Sequence, residues 1–384
     1  MITSGIKLIN FKKINNSLYI KKNLKLILKE KNQVIESLKT SYQNNFEKKK
    51  ILKYKKATNF RIIGMGGSSL GTNAIYDFLK KKIKKNFLFF DNLQANLKVD
   101  NKKKHTNLII SKSGNTVETI INANILIKKK DKNIFITENK NSYLHLLANK
   151  LKAEIIHHND YIGGRYSVLS EVGMIPSELM GLNPSKFKQL NNLVKNKKFI
   201  NSLVSNVASI LHFSKKKKFN SVIINYDEKS ESLFKWYQQL VAESLGKKKS
   251  GILPIVSNMP KDNHSVMQLY LDGFQNNFFT FFYVKEKKSQ QVNSKLILPS
   301  HNYLKDKDLS KITLAQKQAT ENVFRKKNIP FRSFEIKKRD EKTLGELFCF
   351  FILETILLGK SLNLNPYDQP AVELIKTETK NLLI

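Results

Sequence analysis

Phe60-Arg61-Ile62-Ile63-Gly64-Met65-Gly66-Gly67-Ser68-Ser69-Leu70-Gly71 runs from an apolar stretch of strand length, through clustered glycines, straight into a helical pattern reaching Lys81. Working outward, Phe87 to Asp91 and Asn107 to Ser111 read as strands, Thr116 to Lys128 as a helix, and Asn133 to Thr137 as a strand. Strands alternating with amphipathic helices predict a mostly parallel sheet covered on both faces. A helical stretch from about Glu171 to Phe213 follows, broken at Pro176 and Pro184. The pattern then restarts, with strands at Ser221–Tyr226, Phe278–Val284 and Phe331–Ile336 and helices at Glu231–Leu245, Leu314–Lys327 and Lys342–Leu358. The expected fold is α/β, with two tandem doubly wound domains: a helical extension over 1–50, a first domain over 51–190 and a second over 191–384. The tail from Pro366 is expected to dock back as a helix.

Composition narrows the function. A chain of 384 residues with 41% hydrophobic and 26% charged residues can bury the cores of two domains. The net charge of +37 invites a nucleic-acid reading. However, its lysines are scattered in short runs such as Lys48–Lys50 and Lys215–Lys218, without the aromatic interleaving or motifs of such proteins. A solvated surface that attracts anions is the better account. Leu347 to Leu358 is too short for a membrane span and carries Glu354. Cys349 is alone, so a disulfide framework is excluded. Met1 to Lys13 has no apolar stretch of secretory-signal length, and a reducing, cytoplasmic setting is expected.

Six segments carry chemistry. The glycines of 64–71 let a backbone approach a ligand while a helix start offers amides to an anion. A dinucleotide fingerprint competes, with Asp91 as the ribose-binding acid, but Ser69 holds its third glycine position. Ser111-Lys112-Ser113-Gly114-Asn115-Thr116 places three hydroxyls and a lysine at a helix start, more than capping needs, and suits a monophosphate. Gly163-Gly164-Arg165 frees a guanidinium to stabilise an oxyanion, although a surface turn is the commoner role. Gln239 and Glu243 share one helix face, and Glu243 near the helix end at Gly246 suits a general base. His264, in Asp262-Asn263-His264-Ser265, is of a type that moves protons near neutrality. The stretch from Asn365 to Lys376 brings polar groups to the C-terminal segment. No metal-ligand spacing appears.

In order, the phrases GMGGSSLG, SKSGNTVET, GGRYSVLSEVG, WYQQLVAESLGK, DNHSVMQ and YDQPAVELIK resemble the glucose-6-phosphate isomerase family from about residue 60 onward. The resemblance implies two sugar-isomerase (SIS) domains, no cofactor, and reversible isomerisation of glucose 6-phosphate and fructose 6-phosphate through a cis-enediolate. It implies Glu243 as the base between C2 and C1, His264 as the ring-opening acid/base, Lys376 as its helper, and Arg165 as stabiliser of the enediolate. Ser111, Lys112, Ser113 and Thr116 match the phosphate loop, and Gly67, Ser68, Gln239 and Gln369 match substrate contacts. It further implies a homodimer whose sites are shared, with the histidine supplied across the two-fold axis, and no nucleic-acid or membrane partner. Asn115, Ala371 and Ile375 depart from the family's usual Thr, Gly and Gly. An isomerase that also takes mannose 6-phosphate, and a non-catalytic sugar-phosphate sensor, are the rival readings.

Overall fold

The computed structural model describes residues 1–12, 18–97, 103–369 and 371–384, with Glu373 described only in its backbone. Pro370 of the YDQP phrase therefore lies outside the described residues.

Among the described residues the strands form two five-stranded sheets. The first takes β2 (Asn59–Ile63), β3 (Asn86–Phe90), β4 (Thr106–Ile110), β5 (Lys132–Thr137) and β6 (Glu154–His157) in the order β3-β2-β4-β5-β6, all parallel. Its central strands are buried on both faces, which explains the unbroken apolar reading of Leu108 to Ile110 and Ile134 to Ile136. The second takes β7 (Asn220–Asn225), β8 (Leu253–Asn258), β9 (Asn277–Val284) and β10 (Phe331–Ile336) in parallel, with β1 (Ile6–Ile9) antiparallel at its edge, in the order β1-β10-β9-β7-β8. In each sheet the first parallel strand lies inside, flanked by the next two. The order thus reverses at β2/β4 and again at β7/β9, and ligands of open α/β sheets sit outside the strand ends at such reversals.

Residues 1–50 correct the expectation of a purely helical extension. Helices do occupy Leu18–Lys29, Gln33–Ser37 and Lys48–Leu52, but Ile6–Ile9 pairs with β10 from Ile6↔Ile336 to Ile9↔Ser333. Four residues carry too little periodicity to declare a strand, and their ladder partners lie more than 300 residues away. The strand covers an edge of the second sheet that would otherwise be exposed. β6 and β8 also go beyond the expected strands: β6 is short and half polar, and Pro254 sits within β8, tolerable because β8 is an edge.

The tail differs as well. The helix Val372–Leu383 does not dock back; Leu374 is 72% exposed and Ile375 70%. By contrast, the helix Glu341–Ser361 is buried at every residue from Thr343 to Gly359. A helix that is apolar all round belongs in a core, and no helix of the described residues is long and apolar enough to cross a membrane. Glu354, an acidic interruption of this run, meets Arg332 of β10 in a two-pronged ion pair, Nη2 to Oε2 at 2.9 Å and Nη1 to Oε1, with both side chains buried. Arg332 Nε donates to Thr280 Oγ1 at 3.0 Å.

Removing one partner of such a pair leaves a buried charge uncompensated. Arg332→Met is expected to destabilise the fold by about 3–5 kcal/mol, read from the shift of the urea unfolding midpoint.

Candidate functional site

The glycine loop at the end of β2 is shaped by what crowds it. Gly66 has φ +52°, and a Cβ there would lie 2.8 Å from Gln239 Nε2. A Cβ on Gly67 would lie 2.1 Å from the Gly164 carbonyl carbon. Backbone therefore rests on backbone, and this contact draws the Gly163-Gly164-Arg165 turn onto the switch point of the first sheet. Ser68 closes the short turn Gly66–Ser68, half-buried. Ser69 is buried behind it and its Oγ donates to Gly66 O at 3.2 Å; burial pushes the nearby Asp91 carboxyl upward.

Arg165 then points inward, 1% exposed, and is not a solvated turn residue. Its guanidinium makes five hydrogen bonds: Nε to Ser244 Oγ at 2.8 Å, Nη1 to Glu243 Oε2 at 3.2 Å and to Gln369 Oε1, and Nη2 to the carbonyls of Pro366 at 2.7 Å and Asp368 at 3.0 Å. A relay continues from Ser244 through Tyr166 Oη at 2.8 Å to Pro366 O at 2.9 Å. Trp236 Nε1 donates to Arg165 O at 3.1 Å, fixing the turn to the helix Glu231–Leu245. Sequence reasoning did not find Ser244, Tyr166 or the two carbonyls. The only available signal was adjacency, since Ser244 follows Glu243 and Tyr166 follows Arg165.

Glu243 and Gln239 meet as their spacing predicts, with Gln239 Nε2 donating to Glu243 Oε1 at 2.8 Å. Each oxygen of Glu243 thus has one protein donor, while the side chain stays 25% exposed and lines a cavity of about 730 Å³. Gln369, Asp368, Lys247 and Val372 line the same cavity. A carboxylate aimed by two donors, with one side open to a cavity, can exchange a proton with a bound molecule.

At the end of β4, Ser111 is buried and its Oγ lies 2.9 Å from Thr116 Oγ1. Asn115 N donates to Ser113 Oγ at 3.3 Å, and Gly114 has φ +67°, with Ser142 Oγ 2.1 Å from where a Cβ would stand. Thr116 occupies the N-cap position of the helix Val117–Leu126, yet among the described residues no side chain caps that helix. The capping explanation therefore fails, and the amides of the first turn are left for an anion. Lys112 behaves differently from its neighbours: its Nζ donates to Asp160 O at 2.6 Å and lies 3.6 Å from Glu138. It anchors the loop towards β5 and β6.

Two further candidates lie on exposed elements. His264 is exposed at the end of the turn Lys261–His264 after β8, and among the described residues no hydrogen bond joins it to Glu243. Lys376 lies on the exposed C-terminal helix. Of the other histidines, His158 is buried, and burial pushes it down to about 4, so it stays neutral. Among the described residues, no cluster of three or more His, Cys, Asp or Glu side chains is arranged to hold a metal.

Comparison with known proteins identifies the family of the chain and its fold. The phosphoglucose isomerase family profile matches residues 15–383. A glucose-6-phosphate isomerase of Methanocaldococcus jannaschii is 32% identical over 372 residues, covering 91% of this chain and 89% of that protein. One from Mycoplasmopsis pulmonis is 32% identical over 352 residues, covering 84% and 82%. Among solved structures, a hypothetical protein of Thermus thermophilus superposes with a TM-score of 0.82 at 21% identity, covering 95% of this chain and 94% of that one. A Chlamydia trachomatis glucose-6-phosphate isomerase superposes with a TM-score of 0.71 at 17% identity, covering 91% and 77%. These two likenesses are of fold.

Because the Gly67–Gly164 contact seats Arg165, Gly67→Ala is expected to cost about 1–3 kcal/mol of stability and to lower activity beyond that loss. Thermal melting and turnover measured on the same preparation would check both.

Proposed function

This chain belongs to the phosphoglucose isomerase family and interconverts glucose 6-phosphate and fructose 6-phosphate; from that premise we propose how its residues divide the work. Glu243 is the base that takes the proton from C2 of the open-chain sugar and returns it to C1. The observation that carries this is the carboxylate held by Gln239 and Arg165 at the wall of the cavity. Moving a proton between adjacent carbons, with the hydroxyl proton following, leaves the net oxidation state unchanged, so no external oxidant enters the balance.

Arg165 stabilises the enediolate. Its charge cannot be lost, and its Nη1 already faces the base, where negative charge develops on the neighbouring oxygen. Ser111, Ser113, Thr116 and the uncapped helix start receive the phosphate, with Lys112 holding their loop in shape. Gly67, Ser68, Gln239 and Gln369 contact the sugar. The two switch-point halves correspond to two sugar-isomerase domains, with the boundary near residue 190.

Ring opening falls to His264 of a second copy, with Lys376 assisting. Two observations support a homodimer with shared sites: the exposed, separate position of His264, and the exposed apolar residues of the helix that carries Lys376. A second copy would cover those residues and bring the histidine to the cavity. A cytoplasmic location fits the lone, buried Cys349.

Glu243→Gln is expected to lower turnover by at least ~10²-fold while sugar-phosphate affinity holds. Solvent tritium exchange into C2 is the readout, and normal exchange in this variant would assign the base elsewhere. Sharing of sites is tested by complementation. When Glu243→Gln and His264→Ala chains are mixed, one site of each hybrid dimer carries both lesions and the other carries neither. Differently tagged subunits, co-expressed and purified as hybrids, are expected to recover about half of the wild-type activity of a two-site dimer.

A further inference from the structure

Lys247 follows the helix end at Gly246 and takes no part in the chemistry above, yet it is held more firmly than a surface lysine needs to be. Its Nζ donates to Asp368 Oδ1 at 2.5 Å and to the carbonyl of Asn365, and its side chain is only 11% exposed. Hydrogen bonding from Lys247 holds the Asp368 carboxyl below its usual range. The other Asp368 oxygen accepts from Asn365 Nδ2 at 2.9 Å, and Asn365 Oδ1 accepts from Tyr367 N at 3.1 Å. Residues 365–369 thus close into a tight loop around the ammonium.

That loop delivers the Pro366 and Asp368 carbonyls and Gln369 to Arg165. The other side of the contact is equally constrained. Lys247 and Ser250 exchange backbone hydrogen bonds at 3.0 and 2.9 Å, across a turn in which Lys248 and Lys249 both have positive φ, +51° and +57°. Side chains rarely adopt that conformation, least of all twice in succession. The turn returns the chain so that Lys247 faces residues 365–368.

We propose that Lys247 is a positioning residue for the isomerisation: its ion pair with Asp368 fixes the C-terminal segment to the Glu243 helix and thereby keeps Arg165 from closing onto Glu243. The buried guanidinium needs every donor satisfied. If residues 365–369 loosen, it loses two carbonyls and Gln369, and its remaining partners are the Ser244 hydroxyl, held by Nε, and the Glu243 carboxylate, already 3.2 Å from Nη1. The base and the enediolate's stabiliser would then neutralise one another. Asp368 is about half exposed, so the pair itself adds little to global stability.

This inference rests on the assignment of Glu243 and Arg165. The test compares wild type, Lys247→Met, Lys247→Arg, Asp368→Asn and the double variant Lys247→Met/Asp368→Asn, with Glu243→Gln in parallel. Lys247→Met is expected to lower kcat by about 10- to 10²-fold, the scale of a small misplacement at an active site. KM, affinity for 6-phosphogluconate and the melting temperature are expected to hold. Asp368→Asn should fall in the same direction, Lys247→Arg should recover most of the turnover lost in Lys247→Met, and the double variant should be little worse than Lys247→Met alone. Wild-type kcat in Lys247→Met, a parallel loss of affinity and melting temperature, or additive losses in the double variant would overturn the clasp. If Glu243→Gln turns over normally, the assignment of the base fails instead; if it is dead while Lys247→Met is normal, only the clasp fails.

Discussion

A guanidinium out of water must find an acceptor for every N–H, and Arg165 imposes that demand on the whole molecule. Its acceptors come from the helix Glu231–Leu245 and from residues 366–369, and the turn that carries it leans on the glycine loop after β2. None of these segments has reason to meet the others locally. Leaving even one charged donor unpaired costs more than a typical hydrogen bond gains, so the cluster forms as a unit. The same charge that organises the site is the one proposed to stabilise the enediolate.

The two sheets repeat one topology but use it differently. At the switch point of the first, glycines pack against Gln239 and Gly164, and hydroxyls gather at an uncapped helix start. At the corresponding ends of β7 and β9, Arg339 lies 2.5 Å from Asp227 and 3.0 Å from Glu286, and its Nη1 donates to Phe78 O at 3.3 Å. Lys81 and Lys229 also reach Glu286. The second crevice is therefore lined by the protein's own paired charges, which fasten it to the end of the helix Leu70–Phe78. Topology supplies two possible ligand positions, and side chains furnish the first with hydroxyls and helix-start amides and the second with paired charges.

The large positive charge has a quieter part in this arrangement. Many lysines end ion pairs with scattered carboxylates at the surface, as Lys53 does with Glu154 and Lys360 with Glu30. Pairs of that kind add little to stability. The unneutralised excess gives an anionic sugar phosphate a favourable approach, and the proposed anion site is made by Ser111 to Thr116, not by a lysine cluster.

Much of the fold was legible because its elements carry their own punctuation. Gly246 stops the helix Glu231–Leu245 at the expected residue, and the apolar run of β10 begins and ends at Phe331 and Ile336 as read. The Gln239–Glu243 contact followed from helix spacing alone. The sequence by itself thus determined the alternation of strands and helices, the loops at their ends and the chemical types placed there, because propensity and periodicity act over a few residues. Only the tertiary structure decided that Ile6–Ile9 is a strand, that Arg165 is buried, that Lys112 reaches towards Asp160, and that the C-terminal helix leaves Leu374, Ile375, Leu382 and Leu383 exposed. Each of those outcomes depends on partners tens to hundreds of residues away, and hydrogen-bond satisfaction across such distances is a property of the assembled core, not of any local segment.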